Sequence, residues 1–276
     1  MYPAPRDQIS DPSPPRRPID RPLTDSATVV RGTTSGFRLA GVRVRVSGGW
    51  WIAATLLGWM LGARLFPGVY PDASGAALVG MAVAGVAVLF VSVLLHEMAH
   101  AWMGHRYGVE TAAVTLHLLG GVTEMRGAPR DPRADFGIAV AGPVASFALA
   151  AAFGAPLLLD LSPAGGVEGV LGFGAALNAL LAMLNLLPVF PLDGGRMLRA
   201  ALWHRSGDHG AATRDTIVLA RLLGVMAIVV GLLAATLGQR GWGVSVLFVG
   251  LYLRLLARPT FRPEVASRRG DPSLEA

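Results

Sequence analysis

Of the 276 residues, 53% are hydrophobic and 15% charged. Soluble domains carry about a quarter charged residues, so this composition excludes an ordinary soluble protein and predicts a chain divided among membrane spans. The net charge of +6 rests on 24 basic residues, all arginine; their concentration between apolar runs points to anionic lipid headgroups, and not nucleic acid, as the counter-charge. Cysteine is absent, which excludes disulfides, thiolate metal sites and cysteine nucleophiles.

Residues 1–36 are rich in Pro, Arg, Asp and Ser. They lack the apolar core of a secretory signal and are expected to form a disordered cytoplasmic tail. From Phe37 to Val46 apolar and polar positions alternate, the pattern of a strand at the membrane surface. Gly48, Gly49, Trp50 and Trp51 lead into the first span, tryptophan favouring the interface. Apolar runs able to cross a roughly 30 Å hydrocarbon core lie at 50–66, 77–104, 136–159, 167–190, 216–238 and 242–257, six spans in all. Gly58 and Gly62 predict close helix packing in the first. Pro188 and Pro191 break the end of the fourth.

Arginines fix the expected orientation. Arg6, Arg16, Arg17, Arg21, Arg31, Arg38, Arg43 and Arg45 precede the first span, and Arg106, Arg126, Arg130 and Arg133 follow the second. Arg196, Arg199, Arg205 and Arg214 follow the fourth, and Arg258, Arg262, Arg268 and Arg269 follow the last, whereas the opposite loops hold little beyond Arg64 and Arg240. By the positive-inside rule both termini are cytoplasmic, as an even number of spans requires. The expected fold class is an all-α polytopic membrane protein of about six transmembrane helices, organised as a tail (1–36), one membrane domain (37–258) and a second cytoplasmic tail (259–276).

The stretch Leu94-Leu95-His96-Glu97-Met98-Ala99-His100 sets two imidazoles and a carboxylate within the second run. An unpartnered charge at that depth costs about a few kcal/mol, so these groups are expected to have partners and a function. A helix turns about 100° per residue; His96 and His100 therefore share a face and can reach one cation, with Glu97 beside them. This is the H-E-x-x-H arrangement, in which two imidazoles hold zinc and the glutamate acts on water. Catalytic zinc takes a third protein ligand as well. Asp193, beyond the proline break and before Gly194-Gly195, is a candidate, the two glycines permitting a tight turn. Spacing alone leaves it equally readable as the cap of a short helix starting near Gly195. Asn178 and Asn185, seven apart, share a face of the fourth run. Each either bonds to a neighbouring helix or steadies substrate and polarises an oxyanion.

His96-Glu97-x-x-His100, followed by Asn185-x-x-Pro188 and Leu192-Asp193-Gly194, resembles the site-2 protease family of intramembrane zinc metalloproteases over roughly residues 37–258. The resemblance implies one zinc per chain held by His96, His100 and Asp193, with Glu97 as general base and Asn185 in the catalytic machinery. Residues 117–124 resemble the family's membrane-associated β-hairpin, whose Gly120 and Gly121, with Asn178, would contact substrate. Ala141-Gly142-Pro143 resembles a signature of the next span. Membrane-spanning proteins are the implied substrates and regulated intramembrane proteolysis the implied role, in a compact form without PDZ or CBS domains. Two other classes use similar residues: a zinc-holding pseudoprotease that binds membrane helices as a chaperone or scaffold, and a zinc transporter. Glu124 is the competing third ligand should the resemblance fail.

Overall fold

The computed structural model describes residues 35–118, 120–161 and 165–256. Of the tail expected over residues 1–36, only Ser35 and Gly36 are among the described residues, and they open a strand; the tail expected over 259–276 lies outside them, as does the end of the sixth apolar run. The rest is mostly helical with one small sheet, the architecture of an integral membrane protein. Among the described residues, five helices are long and apolar enough to cross a membrane: α1 (Gly48–Val69), α2 (Gly75–Arg106), α3 (Pro132–Leu158), α4 (Gly166–Asn185) and α6 (His209–Thr236). Between the last two lies the short α5 (Asp193–Ser206). The sixth predicted span forms α7 (Arg240–Leu256), whose 17 described residues are shorter than the other spans.

The alternating stretch at the start is a hairpin, not one strand. β1 (Ser35–Leu39) and β2 (Val42–Val46) pair antiparallel with Leu39 opposite Val42. The connecting Ala40 and Gly41 both have positive φ, at 47° and 83°, as a two-residue turn matching the strand twist requires. β2 then pairs parallel with β3 (Glu110–His117), and β3 antiparallel with β4 (Gly120–Arg126), giving the order β1-β2-β3-β4. Val44, Val114 and Leu116 are fully buried and pack with Trp50 against Val93, Leu94 and Ala101 of α2. The sheet is thereby seated on the helix that carries the histidine motif.

Ser74 caps α2 by accepting from the Ala77 N–H at 3.2 Å. At the other end Gly108, at φ 72°, lets the chain reverse into β3, with the Val109 N–H bonded to the Gly104 carbonyl at 2.9 Å. Asp131 caps α3, accepting from Ala134 N–H at 2.9 Å, and Pro132 takes the first turn, where a missing N–H costs no helix bond. The predicted packing of Gly58 and Gly62 is present: a Cβ on either would lie 3.3 Å from Val86 or Ala82 of α2. α6 and α7 approach more closely still. A Cβ on Gly231 would meet the Gly243 carbonyl at 2.7 Å, and one on Gly250 the Gly224 carbonyl at 2.7 Å.

Asp208 caps α6 by accepting from the N–H groups of Ala211 at 3.0 Å and Gly210 at 2.7 Å. Those bonds hold its carboxyl below the ordinary 3.8. A depressed folded pKa means that the stabilisation is complete above the unfolded value and is lost as pH falls through the folded one. Thermal melts should therefore show wild type losing its advantage over Asp208→Ala below about pH 4.

Candidate metal centre

His96 and His100 lie one turn apart on α2, each 3% exposed, with their Nε2 atoms 3.3 Å apart. Asp193 opens α5, and its Oδ2 lies 3.1 Å from both Nε2 atoms. The helix-cap alternative does not describe this side chain. Leu192 holds the N-cap position without a side-chain bond, and the Asp193 carboxylate turns to the imidazoles. The glycines that follow also act differently from the expected turn. Gly194 and Gly195 are already helical, and a Cβ on either would strike backbone atoms of Leu186 and Leu187 or of Val189 and Phe190. They permit close approach of two backbone segments, which brings the carboxylate to α2.

The outer ring nitrogens are held by α3. His100 Nδ1 donates to the Ile138 carbonyl at 2.7 Å. A carbonyl only accepts, so the proton resides on Nδ1 and Nε2 presents a lone pair. His96 Nδ1 lies 2.9 Å from Ser146 Oγ, a hydroxyl that can accept its N–H. With both Nδ1 atoms protonated, two imidazole lone pairs and a carboxylate oxygen face one another, an arrangement that a cation relieves. Their spacings of 3.1, 3.1 and 3.3 Å suit zinc, because ligands about 2.0–2.1 Å from a tetrahedral centre lie about 3.3 Å apart. The donor set of two histidines and one aspartate is the three-ligand type that leaves a coordination position open. Among the described residues these three form the group able to hold a metal.

Gly142 of α3 completes the pocket. A Cβ there would lie 2.6 Å from His96 Nε2 and closer to His100 Nε2, so the position has no space for a side chain. Glu97 is 7% exposed and stands beside the histidines. Thr123 of β4 donates to its Oε2 at 2.6 Å, and a Cβ on Gly121 would collide with its carboxylate. Backbone of β4 therefore lies directly on Glu97. Gly120 opens the strand at φ 131° with open space around it.

The two asparagines differ. Asn178 is fully buried, and its Nδ2 donates to Ser92 Oγ of α2 at 2.9 Å and to the Gly174 carbonyl at 2.8 Å, which ties α4 to α2. Asn185 is half-buried at the end of α4 and donates to the Leu181 carbonyl at 3.0 Å. Glu124 is directed elsewhere, accepting from Thr115 Oγ1 at 3.3 Å and facing Arg45 at 3.5 Å. His209 rests edge-on against Trp203 at 4.7 Å. Sequence reasoning passed over Thr123 and Ser146. A hydroxyl in the apolar run of α3, on the face of Gly142, was the available signal for Ser146. It also counted Arg199 as a topological charge, whereas Arg199 is 8% exposed and paired with Asp135.

Residues 84–161 and 160–230 match the model of peptidase family M50. The Mycobacterium tuberculosis protein Rip3, named for a zinc metalloprotease, is 38% identical over 226 residues, 80% of this chain and 56% of its own. The zinc metalloprotease MJ0392 of Methanocaldococcus jannaschii is 32% identical over 154 residues, 51% of this chain and 41% of its own. The chain spans about half the length of the curated relatives it matches. The solved site-2 protease from Methanocaldococcus jannaschii shares the fold, with a TM-score of 0.53 at 24% identity over 82% of this chain and 94% of that one. The match across the histidine helix, the α3 seat and the Asp193 loop places the chain in peptidase family M50, the family of the site-2 proteases.

Proposed function

We propose that the protein is a zinc-dependent endopeptidase that hydrolyses a peptide bond in or near a transmembrane segment of membrane-protein substrates, and so serves regulated intramembrane proteolysis. The observation that carries this reading is the convergence of three lone-pair donors, His96, His100 and Asp193, beside a buried carboxylate that is not one of them. Those three residues would hold the ion. Zinc, when bound, supplies Lewis acidity that acidifies water and polarises a carbonyl.

Glu97 takes the proton from the attacking water and delivers it to the leaving amine as the C–N bond breaks. Thr123 keeps the carboxylate oriented for that transfer. Asn185 lies where the α4 helix gives way to the Asp193 loop, a position suited to steadying substrate backbone or a developing oxyanion. Asn178 supports it by fixing α4 on α2. From Arg106, at about 1.5 Å per residue, His100 and His96 lie about 9 and 15 Å along the helix. Water reaches them from the arginine-rich side, which the positive-inside rule makes cytoplasmic, with both termini on that face of the plasma (inner) membrane.

A helical substrate hides its carbonyls and must unwind locally before attack. β4 stands at the sheet edge, so its outward backbone groups are free to pair with an extended peptide and satisfy groups that lipid cannot. Gly120 and Gly121 leave the edge bare beside Glu97 for that purpose.

Co-expression with single-span candidate substrates tests the reading. Wild type should release a product absent with Asp193→Asn, and the purified variant should contain less zinc. Equal cleavage by the two would refute it.

A further inference from the structure

We propose that the ion pair between Asp135 and Arg199 is a positioning device for the metal centre: it locks α5 to α3 in the one register that brings Asp193 onto the two imidazoles. The proposal rests on the reading of His96, His100 and Asp193 as metal ligands.

Asp135 is fully buried and Arg199 is 8% exposed. The guanidinium meets the carboxylate with two bonds, Nε to Oδ2 at 3.0 Å and Nη2 to Oδ1 at 2.8 Å. Such a fork fixes direction as well as distance, which a lysine ammonium does not. Arg196 approaches the same carboxylate at 3.8 Å.

The location of the pair gives it a role beyond joining helices. On α3 the residues Asp135, Ile138, Gly142 and Ser146 follow one another at intervals of three, four and four, and all are buried. They form one stripe. Ile138 and Ser146 hold the outer nitrogens of His100 and His96, and Gly142 opens the space for the inner ones. Asp135 ends that stripe. On α5, Arg199 lies six residues beyond Asp193, about 9 Å along the axis; on α3, Gly142 lies seven beyond Asp135, about 10 Å. The ion pair and the imidazole site thus come in opposite order along the two helices at matched spacing. Arg199 also lies 5.9 Å over the ring of Phe190, three residues before Asp193. It therefore braces the loop that leads into the ligand as well as the helix that leaves it. A slip of one turn would move Asp193 about 5 Å from the imidazoles.

The test uses the purified full-length chain and cobalt(II) alone, read by its visible d–d absorption and by chelator competition. Wild type should bind one cobalt with tetrahedral bands, and His96→Ala should not. Arg199→Lys, and the charge-free pair Asp135→Asn with Arg199→Gln, should retain helical circular dichroism. Each should bind cobalt about 10- to 100-fold more weakly with altered bands. The double variant removes both charges of the pair, and Arg196, which loses the same carboxylate, is only part-buried, so the variant separates register from folding. A folded variant with wild-type affinity and spectrum overturns the proposal. Wild type that binds no cobalt, or binds no better than His96→Ala, overturns the metal-centre reading and this proposal with it.

Discussion

Glu97→Gln is expected to leave zinc in place while lowering peptide hydrolysis by about 10²- to 10⁴-fold, the range for losing a general acid–base group. The two side chains are nearly isosteric, and an amide oxygen accepts the Thr123 hydroxyl as the carboxylate does. Glu97 lies outside the group of metal-holding residues, so the donor set is untouched. What disappears is the ability to take a proton from water and pass it on. Metal analysis alongside a cleavage rate checks both halves. Cleavage at more than about a tenth of the wild-type rate would remove Glu97 from the proposed role. The substitution also separates the classes: a scaffold that binds membrane helices, or a transporter, has no use for a general base and would be unaffected.

Gly142→Ala should strip the site of its metal. By helix propensity alone the change is favourable, by about 1 kcal/mol in a helix interior. The site reverses the sign. The new methyl group would occupy the space between the Nε2 atoms of His96 and His100, and neither ring can retreat while Ser146 and Ile138 hold its other nitrogen. A zinc affinity reduced more than about 100-fold, at the upper end of effects from groups just outside a metal's ligands, is the expected result. Helical circular dichroism should be unchanged. If the alanine variant instead bound zinc normally and melted higher, the glycine would be a mere helix defect and the described crowding would be wrong.

The parts of the site legible in the sequence were those encoded by local periodicity. His96 and His100 share a face because four residues nearly complete a turn, and polar groups in an apolar run declare themselves by their cost. Asp193 stood out through the broken helix before it, although its direction depended on contacts that no spacing encodes. The glycines at 194 and 195 suggested a turn, yet their work is close approach between segments, a property of tertiary packing. The same holds for Gly142. The first hairpin was hidden because alternation resumes after Ala40 and Gly41; the slip in phase from Leu39 to Val42 was the signal of a reversal. Arg199 looked like one more cytoplasmic charge because its partner, Asp135, is 64 positions away.

The outer nitrogens of both imidazoles are gripped by a helix other than their own, and the third donor arrives on yet another. Transplanting the five-residue histidine motif into an unrelated span would therefore carry over the ligating atoms without their tautomers or their partner. The smallest portable unit is the trio Gly75–Arg106, Pro132–Leu158 and Asp193–Ser206, and any minimal artificial version of this centre would have to be built from three segments at once.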